Sequence, residues 1–226
     1  MKSESHIRAI NQTLRELQPL SVTTAAPASM QFQYIGTIVD NTMALLTGVA
    51  NSLDNGQRVA RFSEFANWLS AMKAVHRSFY SSLIIAIEQG LSDFCAEKGI
   101  KPEPHRLTKA ERIIEKGNLS SKLAKEVRQL AGGKPNFGDY LREVLRAKEV
   151  PKNRRVVWTN FFEALNVVRN KVSHSDIVLA PGDTQKLKNG GLGVLVGADN
   201  MLQVNTRNYR QIISLVLKFY EEVGLA

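Results

Sequence analysis

A long run without proline, residues 59–98, constrains the fold of this chain more than any other feature. Its apolar residues recur every three or four positions, which places them on one face of an α-helix. They include Phe62, Phe65, Trp68, Leu69, Met72, Val75, Phe79, Leu83, Ile84, Ile87 and Leu91. Gly90 is the only weak position inside the run and costs roughly 1 kcal/mol relative to Ala. The pattern predicts one long helix, or two nearly collinear helices, with Gly99 as the C-terminal cap.

The same periodicity recurs along most of the remaining chain and is interrupted by Pro, Gly and Asn at segment ends. The predicted helices, in chain order, are residues 5–17, about 30–50, 59–98, 108–115, 120–130, 137–147, 154 to about 172, and about 205–224. Pro19 is expected to end the first helix. Thr108 and Glu111 have capping-box spacing and predict the start of the fourth.

One stretch has a composition that favours β-structure. Residues 192–196 and 201–204 are mostly apolar and contain three valines, and they flank a turn cluster at residues 197–200. This arrangement predicts a small β-hairpin just before the last helix.

The positive charge of the chain is concentrated in one part of the sequence. The formal net charge is +9, and residues 101–155 contain 15 Lys or Arg against 7 Asp or Glu. A local surplus of this kind favours an anionic partner, nucleic acid first, although solubility alone also explains a basic chain. We therefore divide the chain into N-terminal helices at residues 1–56 and a helical domain at 57–226. Within that domain, about 101–153 is a basic surface insertion.

Several classes of protein are disfavoured by composition. The sequence has no apolar run of 18 residues and no apolar stretch typical of a secretory signal after its polar first residues, so neither a membrane span nor secretion is expected. Cys95 is the only cysteine and lies among apolar neighbours, which indicates a buried thiol in a reducing cytoplasm. No cysteine or histidine accompanies it at ligand spacing, so neither a zinc site nor a cofactor is predicted.

The most informative short motif spans residues 169–174, at the end of an amphipathic run that begins at Trp158. Arg169 offers a planar fork of donors that suits phosphate oxygens. His174 can take or give a proton near neutral pH. Together the two side chains would suit the handling of a phosphate group. Two structural interpretations compete with this functional one. Arg169 is also favourable as a cation near the C-terminus of its own helix, by about 0.3–1 kcal/mol, and His174 also fits a hydrogen-bonded structural histidine.

The motif resembles the signature of the HEPN superfamily, in which Arg is followed after four to six residues by His, often with Asn directly after the Arg. Here the residues are Arg169, Asn170 and His174. The resemblance covers residues 59–98 and 154–224 best. It implies an all-α bundle, with the insertion and hairpin added, that pairs with a second copy so that two motifs meet in one cleft. Many such proteins are metal-independent ribonucleases in toxin–antitoxin or antiviral systems, and others have lost the activity.

The resemblance also implies roles for individual residues. His174 would be the general acid or base, Arg169 would hold the scissile phosphate, and Asn170 would orient the imidazole or bind a phosphate oxygen. Lys171 and Ser173 are either substrate-binding neighbours in contact with RNA or simply solvated. The implied partners are RNA, a second copy of the chain, and an antitoxin or other regulatory protein.

Three functions remain open at this point. The first is an endoribonuclease of HEPN type. The second is a catalytically inactive HEPN-type scaffold that binds RNA or a partner protein with the same basic surface. The third is a helical DNA-binding regulator, for which the short basic helices between residues 107 and 147 leave room.

Overall fold

The chain is described by a computed structural model that covers residues 2–23, 30–56, 63–174 and 177–225. In these ranges it forms nine α-helices, two 3₁₀ turns and no strand, so the predicted all-α class is confirmed at this level. The α-helices are α1 (Lys2–Thr23), α2 (Met30–Gly56), α3 (Ser63–Glu97), α4 (His105–Gly117), α5 (Ser121–Ala131), α6 (Phe137–Ala147), α7 (Lys152–His174), α8 (Pro181–Asn189) and α9 (Arg207–Glu222).

The chain divides into two compact units. The first, called unit 1, contains Met1–Ile87 and Asn160–Ala226, and the second, unit 2, contains Glu88–Thr159. The predicted insertion at about 101–153 lies inside unit 2. The assignment of residues 1–56 and 57–226 to separate regions stays a prediction.

Unit 1 is built around α1, α2 and α9, which contact one another. Ile10 and Leu17 of α1 are buried, and the Thr13 hydroxyl is 2.8 Å from that of Thr206, at the start of α9. Thr13 also donates to the Ala9 carbonyl at 3.0 Å within its own helix. The hydroxyl pair is thus one contact that favours a particular register of α1 against α9.

An aromatic cluster fills the middle of unit 1. The rings of Phe79 and Tyr209 stack at 3.9 Å between centroids, and Tyr80 packs edge-on against both. The Tyr209 hydroxyl is hydrogen-bonded to Nδ1 of His76. Burial lowers the pKa of His76 to about 4, so this histidine is a neutral structural group at neutral pH.

Unit 2 holds the short basic helices, and their ends are closely capped. The amide of Ile100 donates to the Cys95 carbonyl at 2.8 Å while Gly99 has φ +64°, which confirms the predicted glycine cap of α3. At the start of α6, Asn136 and Asp139 form a reciprocal capping box. Asp139 is almost fully buried and also accepts a hydrogen bond from the amide of His105 at 2.9 Å, which joins α6 to the start of α4.

Two predictions about helix ends were wrong. Pro19 lies inside α1, which continues to Thr23 although the proline removes one backbone hydrogen bond. Thr108 does not cap α4, because that helix begins at His105, with Pro104 in the N-cap position. The capping box of this region lies instead at residues 136–139.

The predicted hairpin is also not formed as two strands. Residues 193–195 form a 3₁₀ turn, and residues 198–201 form a reverse turn in which Asp199 and Asn200 have positive φ. Among the described residues nearby, pairing is limited to two isolated antiparallel bridges, Val178 with Met201 and Val196 with Leu202. Leu192 and Leu195 are both buried, and a spacing of three places both on one side of a 3₁₀ turn. In a strand they would face opposite sides. The apolar spacing therefore outweighed the β-friendly composition.

The helix α8 was not predicted, although its sequence has a helix-start signal. Pro181 occupies the first helical position, and Asp183 accepts a hydrogen bond from the Ala180 amide at 3.4 Å. None of the helices in the described ranges is both long and apolar enough to cross a bilayer.

Candidate functional site

The orientation of α7 in unit 1 follows from the burial of one face. Phe161, Phe162, Leu165 and Val168 are buried, and the Phe162 ring meets Phe219 of α9 edge-on at 4.8 Å between centroids. The opposite face must then point to solvent. That exposed face carries polar residues along the last four turns of the helix, ending at the Arg169–His174 motif.

Arg169 and Asn170 are brought together directly. Nη1 of Arg169 donates to Oδ1 of Asn170 at 3.0 Å. Asn170 is exposed, whereas Arg169 is half-buried at the edge of the packed face. Nε of Arg169 is buried and has no hydrogen-bond partner among the described residues. The guanidinium therefore has one donor engaged by its neighbour and one donor that lacks an acceptor within the described chain.

His174 is not brought together with Arg169 within one copy of the chain. Both belong to the same continuous helix, of which His174 is the last residue, and His174 is exposed. Five residues along an α-helix correspond to about 500°, so the two side chains leave the axis about 140° apart. Asn170 and His174 are four residues apart and share one face. One helix can thus present Asn170 and His174 to the same ligand. It cannot do the same with Arg169 and His174, because their side chains leave the helix in different directions.

Lys171 has intramolecular partners. Its ammonium donates to the Val178 carbonyl at 2.7 Å and lies 3.5 Å from Oδ2 of Asp183. These contacts connect the last turn of α7 to the segment after it and to the first turn of α8. Ser173 is half-buried. The sequence left open whether both residues contact RNA or are simply solvated; Lys171 also joins α7 to α8 beside the motif.

A groove of about 350 Å³ runs along the exposed face of α7. Its lining combines carboxamides, two acids and two lysines from α7 and α8: Glu163, Asn166, Asn170, Lys171, Asp183 and Lys186, with Val167. Only Asn170 and Lys171 were singled out from the sequence as site residues. Glu163 and Asn166 could have been found from the sequence, because they lie at helical spacing from Asn170. Asp183 and Lys186 could not, because they belong to α8, which was not predicted.

The charges of this groove are balanced. Glu163 and Asp183 are offset by Lys171 and Lys186, and the contact of Lys171 with Asp183 neutralises one acid directly. Within the described ranges, no cluster of three or more His, Cys, Asp or Glu side chains is arranged to hold a metal ion. The groove thus offers amide groups for hydrogen bonding, and the exposed His174 lies one helical turn beyond Asn170 on the same face of α7.

The fold and the motif define an all-helical protein with an Arg-Asn pair and an exposed His at the end of an amphipathic helix. Comparisons of the chain with family models, with curated proteins and with solved structures find no match. Membership of the HEPN superfamily therefore rests on the residues of the motif and is carried forward as a proposal.

Proposed function

We propose that this protein is a metal-independent endoribonuclease of HEPN type that acts as a homodimer in the cytoplasm. The observation that carries the proposal is the state of Arg169, whose buried Nε has no acceptor in the described chain. A buried donor without a partner costs about 1–3 kcal/mol, and a movement of the Arg169 side chain toward a ligand oxygen would remove that cost. A phosphate oxygen is the acceptor that best matches the guanidinium fork.

The reaction proposed for the motif needs no redox step and no external reagent other than RNA. The 2′-oxygen of the ribose attacks phosphorus while its proton passes to a general base. The bond from phosphorus to the 5′-oxygen breaks, and a general acid protonates that oxygen. The products are a 2′,3′-cyclic phosphate and a free 5′-hydroxyl. The imidazole of His174 supplies proton transfer, and Arg169 offsets the charge that develops on the phosphorane oxygens.

A second copy of the chain supplies what one motif lacks. One histidine cannot be base and acid at the same moment, and Arg169 and His174 point about 140° apart on one helix. Two motifs that face each other would allow Arg169 of one copy to lie near His174 of the other. A closed two-fold pair is the most common arrangement for such a shared site.

The biological role proposed is that of a toxin or antiviral effector restrained by a regulatory protein, for example an antitoxin. Expression in cells tests this directly. The wild-type chain should arrest growth, and Arg169→Ala should relieve the arrest. Arg210→Ala is the matched control, since Arg210 is an exposed arginine of unit 1 outside the motif. Equal arrest by the wild-type and Arg169→Ala chains would contradict the nuclease proposal.

The requirement for two copies has a separate test. The rate of RNA cleavage per chain should rise with protein concentration until dimer formation is complete, in step with the dimer fraction measured by sedimentation. A monomer with full activity would contradict the shared site. RNA that stays intact but is tightly bound would favour the inactive scaffold. Preference for duplex DNA would favour the DNA-binding regulator.

A further inference from the structure

Unit 2 contains a second groove, of about 520 Å³, that is separate in sequence from the motif. Three segments line it. Lys101 and Glu103 come from the connector after α3, and His105, Thr108 and Arg112 come from α4. Arg142, Glu143 and Arg146 come from α6. Four permanent cations therefore face two carboxylates, and all eight residues belong to the basic region that the sequence singled out.

Two of the acidic groups around this groove, Asp139 and Glu143, are ion-paired, whereas Glu103 is exposed and contributes only its backbone carbonyl to these contacts. Glu143 lies between Nε of Arg142 at 3.2 Å and Nη1 of Arg146 at 3.1 Å. Nη2 of Arg142 contacts the buried Asp139 at 3.2 Å and donates to the Glu103 carbonyl at 2.7 Å. Arg142 is thus held as part of the framework, and Glu143 presents little uncompensated negative charge to a ligand.

Two cations of the groove differ from Arg142 in this respect. Lys101 and Arg112 are exposed and have no ion-pair or hydrogen-bond partner among the described residues. Arg112 also belongs to a stripe on α4 of His105, Lys109, Arg112 and Lys116, all exposed. Spacings of four, three and four residues place the stripe on one helix face, over about 16 Å.

The acids of α4 do not cancel this stripe. Glu111 lies on another side of the helix and forms a bidentate pair with Arg128 of α5, at 2.8 and 3.1 Å. Glu115 is exposed at the edge of the stripe. A solvated helix face normally mixes both signs of charge, whereas this face presents Lys109, Arg112 and Lys116 in a row that continues into the groove.

We propose that the groove and the α4 stripe bind the sugar–phosphate backbone of an RNA strand. A row of uncommitted cations suits a linear polyanion, because each phosphate that a lysine or arginine neutralises releases counterions. The groove lining contains no Phe, Tyr or Trp, and its only ring is the imidazole of His105, so we expect contacts mainly with the backbone and binding that depends little on base sequence. The choice of RNA as the nucleic acid rests on the proposed function. The charge pattern is observed independently of that function.

The salt dependence of binding gives the expected size of the effect. For a single strand, each neutralised phosphate contributes about −0.7 to the slope of log K against log salt concentration. Removing the two uncommitted groove cations should therefore make the slope shallower by about 1.4. Removing both cations should weaken RNA binding about tenfold or more at 50 mM salt. At 200 mM salt the loss should be about sevenfold smaller, because a fourfold rise in salt with a slope difference of about 1.4 changes the affinity ratio by that factor.

The experiment compares two double variants of the full chain in a His174→Ala background, so that RNA is not consumed. Lys101→Gln with Arg112→Gln changes the groove. Lys122→Gln with Lys125→Gln removes the same charge from exposed positions of α5 outside the groove. Binding of a fluorescent RNA 20-mer in EDTA is measured by anisotropy at both salt concentrations. The groove variant should lose about tenfold at 50 mM, and the α5 variant less than about twofold.

The outcomes are separable from those of the nuclease proposal. Equal losses in the groove and α5 variants would overturn the groove assignment, as would an unchanged salt slope or a failure of the His174→Ala chain to bind RNA. Tighter binding of DNA of the same sequence, or equally strong competition by polyglutamate, would overturn the assignment to RNA. A wild-type chain that leaves RNA intact contradicts the proposed nuclease, while groove-dependent RNA binding by that same chain would still support the groove.

Discussion

Asp139 is a buried carboxylate that joins two helices of unit 2, and its replacement gives a quantitative test. The carboxylate is 1% exposed. It accepts hydrogen bonds from the amides of His105 at 2.9 Å and Asn136 at 3.0 Å, and it pairs with Arg142 at 3.2 Å. One side chain thus joins the first turn of α4 to the first turn of α6, which are two walls of the basic groove.

The magnitude follows from the partners that would be lost. Hydrogen bonds to a charged group contribute about 1.5–3 kcal/mol each, and removing one partner leaves the others unsatisfied. His105 and Asn136 are exposed residues, so water can replace part of the loss. Asp139→Ala should therefore lower the free energy of unfolding by about 3 kcal/mol. Asp139→Asn, which keeps the shape and one acceptor oxygen, should lower it by about half as much.

The assay combines urea unfolding with hydrogen exchange in α4 and α6. In Asp139→Ala, peptides that contain the amides of residues 105 and 136 should exchange faster, because those amides lose their acceptor. Glu126→Gln is the control: Glu126 is an exposed acid of α5, and its change should stay within about 0.5 kcal/mol. A cost below about 1 kcal/mol for Asp139→Ala, with unchanged exchange, would refute the reasoning.

Three further predictions concern unit 1. A Cβ at Gly190 would overlap α7, so Gly190→Ala should cost about 2 kcal/mol or more, while Gly182→Ala, with open space around it, should cost under about 0.5 in the same urea titration. The Tyr80 hydroxyl is buried without a partner in the described chain, so Tyr80→Phe should be neutral or stabilising, whereas Tyr209→Phe removes the bond to His76 and should cost about 1 kcal/mol. Burial lowers the pKa of His76 from 6.5 to about 4, so the unfolded chain binds that proton more readily. Stability should therefore fall by roughly 3 kcal/mol as the pH drops from 6.5 to 4, and His76→Gln should lack that part of the loss; identical pH profiles would contradict this.

The helical content could be predicted because burial imposes a regular spacing on the sequence. Residues 137–147 were predicted as a helix, and α6 has those same bounds. The prediction failed where local chemistry and tertiary burial compete. Pro19 normally ends a helix, yet α1 continues past it. Residues 192–204 have the composition of strands, yet Leu192 and Leu195 are buried together in a 3₁₀ turn.

The candidate site was only partly visible in the sequence. Arg169, Asn170 and His174 were singled out by the resemblance of their motif to the HEPN signature, and Arg169 and Asn170 are hydrogen-bonded to each other. Asp183 enters the groove beside Lys171 from α8, a helix that was not predicted. The divergence of Arg169 and His174 also depends on the helix continuing as far as residue 174, two residues beyond the predicted end.

The central claim is that the Arg169–His174 motif cleaves RNA without a metal, and product analysis tests it most directly. Purified protein is incubated with labelled RNA in EDTA, and the ends of the fragments are identified by mass spectrometry. The account predicts 2′,3′-cyclic phosphate ends with the wild-type chain and a loss of at least about a hundredfold in rate with His174→Ala, the usual scale for removing a general acid or base. Intact RNA, or cleavage that persists in His174→Ala, would contradict it.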